Sequence, residues 1–314
     1  MRTLRTGIRL LVASILAAAA SPIPAQDRDF ASVEIVSKPI RAGIYLLTGA
    51  GGNMAVSAGE DGLFLVDDQF APLTEKITAA IRQIQDEPVR FVVNTHWHGD
   101  HTGGNENLGE SGAVIVSHGN VRQRMSVEQL QKMRERTIPA SAEGALPVIT
   151  FTDAVTFYLN GESVRVFHVP PAHTDGDSVV HFQGADVLHA GDIFFNGTYP
   201  FIDIDSGGSI EGMIEAQERI LSLCGDESVI IPGHGPIANA ADLRNTRRML
   251  MTVRDRVRSA IAVGMTVEEL IASDPLDDLN GEWGGGFIEP SQMLAIVHAD
   301  LSRDSVGGID PSRE

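Results

Sequence analysis

The sequence predicts a single α/β domain, in which two sheets pack face to face and helices cover the outside. Three observations carry this reading. Short apolar or alternating runs broken by glycine recur in both halves of the chain. Each set of runs is followed by segments with apolar residues at helical spacing. Neither a repeat of fixed period nor a low-complexity segment divides the two sets, so both halves can share one core. A chain of 314 residues would allow two domains, but it can also bury one sizeable core.

The elements follow in order. The opening "MRTLRTGIRLLVASILAAAASPIPAQ" has Arg2, Arg5 and Arg9, then an apolar run from Leu10 to Ala20, then Pro22 and Pro24. That run is about half the ~20 residues a membrane span needs. A basic start, a short apolar middle and a small residue at the end describe a secretory signal peptide, residues 1–25, with cleavage expected after Ala25, Ala20 as the other site, and an uncleaved membrane anchor as the alternative. The expected location is periplasmic or secreted, with no membrane partner once the leader is removed. Residues 26–32 read as a linker, 33–305 as the domain with a C-terminal helical segment, and 306–314 as a flexible tail.

From Val33 the pattern is that of strands. "AGIYLLTG" and "NMAVSAGEDGLFLVDD" are such runs, with Asp61-Gly62 as a hairpin turn. "LTEKITAAIRQIQ" has helical spacing, "VRFVVNT" and "AVIVSHG" read as strands, and "NVRQRMSVEQLQKMRERT" as one or two helices. Hairpins follow in "AVTFYLNGESVRVFHVP", turning at Asn160-Gly161, and in "SVVHFQGADVLHAGD", turning near Gly184. "SIEGMIEAQERILSLC" is a helix capped by Ser209. The strand "SVIIPGHG", a helix from Ala241 to Val263 and a last helix from Ser291 to Ser302 complete the chain.

Formal charge is −18, and without the leader 21 basic side chains face 42 acidic ones, a balance of −21. Such a surface repels phosphate backbones, so nucleic acid is not an expected partner and the acidity reads as solubility. A small-molecule substrate is expected from the chemistry of the motifs. The single cysteine, Cys224, cannot form an internal disulfide. It ends an apolar helical stretch and reads as a small buried side chain.

The chemistry concentrates in "NTHWHGDHTGGN", residues 94–105. His96 and His98 lie two apart just beyond a strand, so both imidazoles can reach one ion. Asp100 and His101 follow where glycines permit a turn, and can face a second ion. His173 in "VPPAHTDGD", Asp192 in "VLHAGDIFF" and His234 in "IIPGHGP" stand on similar strand-to-turn junctions. Five histidines and two aspartates in one kind of setting read as a metal site. Imidazole and carboxylate donors without thiolate suit Zn²⁺, and Fe or Mn less specifically.

"THWHGDH" followed by "AHTDGD", "HAGD" and "PGHG" resembles the metallo-β-lactamase superfamily, from about Val33 to Ile237. The resemblance implies a four-layer αββα sandwich with the metals at one edge of the paired sheets. It implies that His96, His98 and His173 hold one zinc, that Asp100, His101 and His234 hold the other, and that Asp192 bridges them. Asp67, closing "LFLVDD", would orient a ligand histidine. Asp100 would orient the nucleophile derived from water, so Ser178 and Cys224 are not required. A full set with Asp192 resembles the lactonase, glyoxalase II and ribonuclease Z branches. Export and acidity argue against the last two. The longer pattern also resembles periplasmic relatives, some described as β-lactamase-like and some linked to quinoprotein systems.

The expected function is therefore an exported dinuclear zinc hydrolase that opens a cyclic amide or ester. A lactonase or thioester hydrolase is the nearest alternative. A non-catalytic accessory protein of a quinoprotein system is a different class, and loss of ligands would mark it. An iron pair doing redox chemistry would need a flavin domain, for which no chain is left. Tyr199 and Phe201 are candidates to line the substrate cleft. The glycine-rich "GAGGNM" (49–54) is either a loop near the metals or a plain turn, and "GEWGGGF" (281–287) is a candidate flap. Trp97 packs behind the ligand loop, and His118, His168, His181, His189 and His298 read as ordinary surface or core histidines.

Overall fold

The computed structural model describes residues 29–306. The expected leader, the start of the expected linker and the tail beyond residue 306 lie outside them. Fourteen strands and nine α-helices are defined among the described residues. The first half contains β1 (Val36–Arg41), β2 (Ile44–Thr48), β3 (Met54–Ser57), β4 (Leu63–Val66), α1 (Thr74–Arg82), β5 (Val89–Val93), α2 (Gly99–Thr102), α3 (Asn105–Glu110), β6 (Val114–His118) and α4 (Gly119–Met125). A small hairpin, β7 (Gln129–Gln131) and β8 (Arg136–Ile138), precedes β9 (Ile149–Phe151). The second half contains β10 (Ala154–Leu159), β11 (Glu162–His168), β12 (Ser178–Phe182), β13 (Val187–Phe195), α5 (Ile210–Leu221), β14 (Val229–His234), α6 (Ala240–Ala262), α7 (Val267–Ala272), α8 (Asp277–Trp283) and α9 (Pro290–Val306).

The strands form two large sheets. One has the order β1-β2-β3-β4-β5-β6-β9, the other β10-β11-β12-β13-β14. Side-chain alternation explains why the apolar runs are nearly continuous. In β4, Phe64 and Val66 point into the space between the sheets, while Leu63 and Leu65 point outward beneath α1 and α3. Val93 and Val92 of β5, and Val116 and Ile115 of β6, divide in the same way. Both faces of the strands are covered, so neither position is polar. Phe64 of the first sheet meets Phe182 of the second edge-on at 6.1 Å between ring centroids. On the far side, Phe167, Val179 and Leu188 pack under α5, α6, α7 and α9. The layers are helices, sheet, sheet, helices: the αββα sandwich.

The hairpin turns fall where their residues require. Asn160 and Gly161 have φ of 55° and 71°, the pair of positive angles that an Asn-Gly turn supplies. Ser209 caps α5 by accepting from the Gly212 N–H. Asn239 and Asp242 close a capping box on α6. One expectation fails. The stretch expected to be helical from Asn120 to Thr137 is helical only as far as Met125, and its remainder forms the β7–β8 hairpin. No described helix is long and apolar enough to cross a membrane.

Candidate metal centre

The site grows from the ends of parallel strands. β4, β5 and β6 run parallel, as do β13 and β14. Their carboxyl ends gather at one rim, where ligands collect in open α/β sheets. β5 runs straight into Asn94, Thr95 and His96. His98 still has extended backbone, and α2 begins at the next residue. The extended stretch sends His96 and His98 to one place, and the helical turn sends Asp100 and His101 to another. His173 lies in the loop after β11. Asp192 lies inside β13, where the ladder to β14 is interrupted between Gly191 and Phe195, and His234 ends β14.

The seven side chains form two groups. In one, donor atoms of His96, His98, His173 and Asp192 lie within 4.8 Å of one another; in the other, those of Asp100, His101 and His234 do. Asp192 stands between them. Its Oδ2 is 3.4 Å from His173 Nε2 and 3.8 Å from His96 Nε2. Its Oδ1 is 3.0 Å from His101 Nε2 and 3.4 Å from His234 Nε2. Asp100 Oδ2 is 3.5 Å from His234 Nε2. His98 Nδ1 and His173 Nε2 are 2.8 Å apart. The first group is buried, whereas the side chains of Asp100 and His234 are 29% and 32% exposed. The second group is therefore the one that opens to solvent.

The remaining ring nitrogens are held in place. Asp67 accepts from the Thr95 N–H and hydroxyl, each at 2.8 Å, and its Oδ2 is 2.7 Å from His101 Nδ1. It does so with φ at 59°, a backbone conformation rare for aspartate and kept by its surroundings. His173 Nδ1 donates to the Phe201 carbonyl at 2.7 Å. His98 Nε2 is 2.8 Å from Asp203 Oδ2. Sequence reasoning missed Asp203, although "FIDID" lies in the loop after the Asp192 strand and offers two carboxylates. It also missed Phe195, whose ring stacks on His234 at 5.0 Å.

Two glycines are needed for close approach. A Cβ on Gly233 would lie 2.0 Å from Asp192 Oδ1. A Cβ on Gly52 would lie 2.0 Å from Cε1 of His101, which places the 49–54 loop against the site. Gly52→Ala is therefore expected to push His101 aside and weaken metal binding by at least ~10-fold, the scale of disturbing a ligand's support. Zinc titration of the purified variant reads this directly, and wild-type affinity would refute it.

Electrostatics separate the two groups. Burial pushes His96, His98 and His173 below the ordinary histidine range. Burial also acts on His101 and His234, but carboxylates outweigh it: Asp192, then Asp67 and Asp100, at His101, and Asp192 with Asp100 at His234. His101 is raised well above its usual value, and His234 is raised to about 9. Burial opposes ionisation of Asp192 and Asp100, yet the facing histidines hold both carboxyls below their usual range. His96 Nε2, His101 Nε2 and Asp192 Oδ1 are buried without a hydrogen-bond partner among the described residues. Orphaned polar atoms of this kind are costly, and cations held by the two donor groups would satisfy all three. The donor set, imidazole and carboxylate without thiolate, fits divalent cations.

Other candidates fall elsewhere. Phe201 is close, its ring 6.0 Å from His98 and 5.8 Å from His173. Tyr199, expected in the cleft, is instead a core residue. It is 1% exposed, and its hydroxyl donates to Asn280 Oδ1 at 3.1 Å. Tyrosine follows the strand that carries Asp192, but the chain turns it inward, under α8. Trp97 is buried in a small cluster with Val121 and Met125. Cys224 is half-buried just beyond α5, its thiol directed at the Ile220 carbonyl. His189 is fully buried and bonds the Asn53 carbonyl, whereas His118 and His168 stack in parallel at 3.9 Å.

Comparison with known proteins agrees with this geometry. The pattern of the Metallo-beta-lactamase superfamily matches residues 47–237. A linear primary-alkylsulfatase from a Pseudomonas species is 24% identical, over 67% of this chain and 47% of its own length. A hydroxyacylglutathione hydrolase from Gloeobacter violaceus is 24% identical, over 76% of this chain and 93% of its own length. The chain thus spans about half of the first of these relatives and nearly all of the second. A solved metallo-β-lactamase from Pontibacter korlensis superposes with a TM-score of 0.58 at 20% identity, covering 69% of this chain and 99% of that one. The chain belongs to the metallo-β-lactamase superfamily.

Proposed function

We propose that the protein is a dinuclear zinc hydrolase that opens a cyclic amide or ester, a β-lactam or a lactone. The observation that carries this reading is the position of Asp192, with one oxygen against each histidine group. A pair of zinc ions held there supplies Lewis acidity and a water whose pKa is lowered toward ~7. The chain's own part is positional and electrostatic. Asp192, kept ionised, holds the two groups at a fixed separation. Asp100, ionised and partly open to solvent, would orient the attacking water by accepting a hydrogen bond from it. Asp67 and the Phe201 carbonyl fix the rings of His101 and His173. The proposed nucleophile is water, so neither Ser178 nor Cys224 is called for, and Cys224 lies in neither donor group.

The leader-like start supports export to the periplasm or beyond. The likeness to hydroxyacylglutathione hydrolase over 93% of that relative supports thioester hydrolysis as the second reading. A non-catalytic accessory role is the weaker alternative, since all seven donors are present and assembled. The test is a hydrolysis panel on the zinc-loaded protein, covering β-lactams, lactones, thioesters, alkyl sulfates and phosphodiesters. The expected result is turnover of a β-lactam or lactone that chelation abolishes. Turnover confined to thioesters or sulfates would reassign the substrate, and none at all would remove the hydrolase reading.

A further inference from the structure

The β7–β8 hairpin lies far in sequence from His173, Asp192 and His234, yet three of its residues reach the site. Gln131 is 2% exposed and donates from Nε2 to Asp203 Oδ2 at 2.8 Å, the oxygen that also faces His98 Nε2. The backbone N–H of Lys132 donates to Asp205 Oδ2 at 2.6 Å. The Arg134 guanidinium lies 5.5 Å from the Phe201 ring centroid and 4.8 Å from that of Phe287. Phe201, Asp203 and Asp205 are alternate residues of one segment that leaves β13. That same segment gives the Phe201 carbonyl to His173 Nδ1. Ser206 adds a hydroxyl bond to Asp203 Oδ2 at 2.8 Å and an amide bond to Oδ1 at 3.1 Å.

We infer that the β7–β8 hairpin and the segment 201–206 form one clamp on the first histidine group, in which Asp203, braced by Gln131, is the positioning residue for His98. A carboxylate on Nε2 keeps the proton there and turns the Nδ1 lone pair toward His173 and Asp192. It also raises the basicity of the ligand nitrogen. Stability alone does not account for Gln131. Its Oε1 is buried without a hydrogen-bond partner among the described residues. Leaving such an atom unpaired is unfavourable, and an apolar side chain of similar size would avoid it. The gain is the bond to Asp203, which ties the docked hairpin to the ligand's orientation. Phe287, at the end of the segment expected to be a flap, meets the same hairpin through Arg134 and extends the clamp outward.

The inference rests on the two-cation reading of the site, not on the identity of the substrate. Zinc binding is measured by competition with a chromophoric chelator, separating the two equivalents, for wild type, Asp203→Ala, Asp203→Asn and Gln131→Leu. Asp203→Ala is expected to weaken one equivalent by ~10- to 100-fold and leave the other unchanged. Asp203→Asn, which keeps an acceptor, should recover part of the loss. Gln131→Leu should weaken the same equivalent by a smaller factor while the metal-free protein melts within a few degrees of wild type. Two equivalents weakened alike, wild-type affinity in both Asp203→Ala and Gln131→Leu, or failure of the wild-type protein to bind zinc would each overturn the clamp. A wild-type protein that binds two zinc ions but hydrolyses nothing would overturn the proposed function and leave the clamp standing.

Discussion

Asp192→Ala is expected to reduce hydrolytic turnover of the zinc-loaded protein by more than ~100-fold, beyond the 10- to 100-fold range typical of residues that only support a ligand. The carboxylate is the one group shared by both halves of the site, so its loss affects both together. Each oxygen faces histidines of a different group, and no other described carboxylate spans them. The variant has a second signature that does not depend on activity. In the metal-free protein Asp192 heads the groups that raise His234, lifting it to about 9 against the effect of burial. Removing it should return His234 toward the ordinary value of ~6.5. An NMR titration of the imidazole reads that fall. Turnover near wild type, or a His234 titration that does not move, would show that Asp192 does not join the groups.

The second large effect is on pH. A cation binds an imidazole only after its proton has left. His96, His98 and His173 have lowered values and are neutral at pH 7. His101 is raised well above its usual value and His234 to about 9, so both carry protons at neutral pH. The sign follows directly. Affinity at the first group should be nearly flat above pH ~6.5. Affinity at the second should weaken as pH falls below about 9, by roughly tenfold per pH unit for each proton displaced. The two zinc equivalents should therefore load in sequence at pH 6–7 and converge as the pH rises. Calorimetric zinc titrations at several pH values measure both constants and the protons released. Two equivalents with the same pH slope would refute the assignment of charge to the two groups.

The sheets and the ligand loop were legible because their signals are local. Alternating Phe64, Leu65 and Val66 specify a strand buried on both faces. Asn160-Gly161 specifies a hairpin turn with nothing else needed. His96, His98, Asp100 and His101 lie within six positions, and their spacing already divides them between an extended segment and a turn. Two sheets packed face to face were legible from the two sets of strands, but the full pairing of ligands was what the family resemblance implied, because sheet order is a property of long-range contacts. The β7–β8 hairpin was not legible. "VEQLQKMRERT" is rich in Gln, Glu, Lys and Arg, all good helix formers. Its strands are fixed instead by Asp203 and Asp205, some 70 residues away in sequence. Asp203 was missed for the same reason, since a carboxylate in a loop declares its role only through the ring it touches. Tyr199 was misplaced because an aromatic residue near a ligand strand can face either the cleft or the core. Here Asn280, on α8, supplies a partly buried hydrogen-bond partner for its hydroxyl.

The central claim is that one aspartate joins two histidine groups into a two-cation site. Anomalous diffraction at the zinc edge from zinc-loaded crystals tests it most directly. The account requires two peaks, one among His96, His98 and His173 and one among Asp100, His101 and His234, with Asp192 touching both. A single peak at full loading, or a pair of peaks that leaves Asp192 uncoordinated, would contradict it.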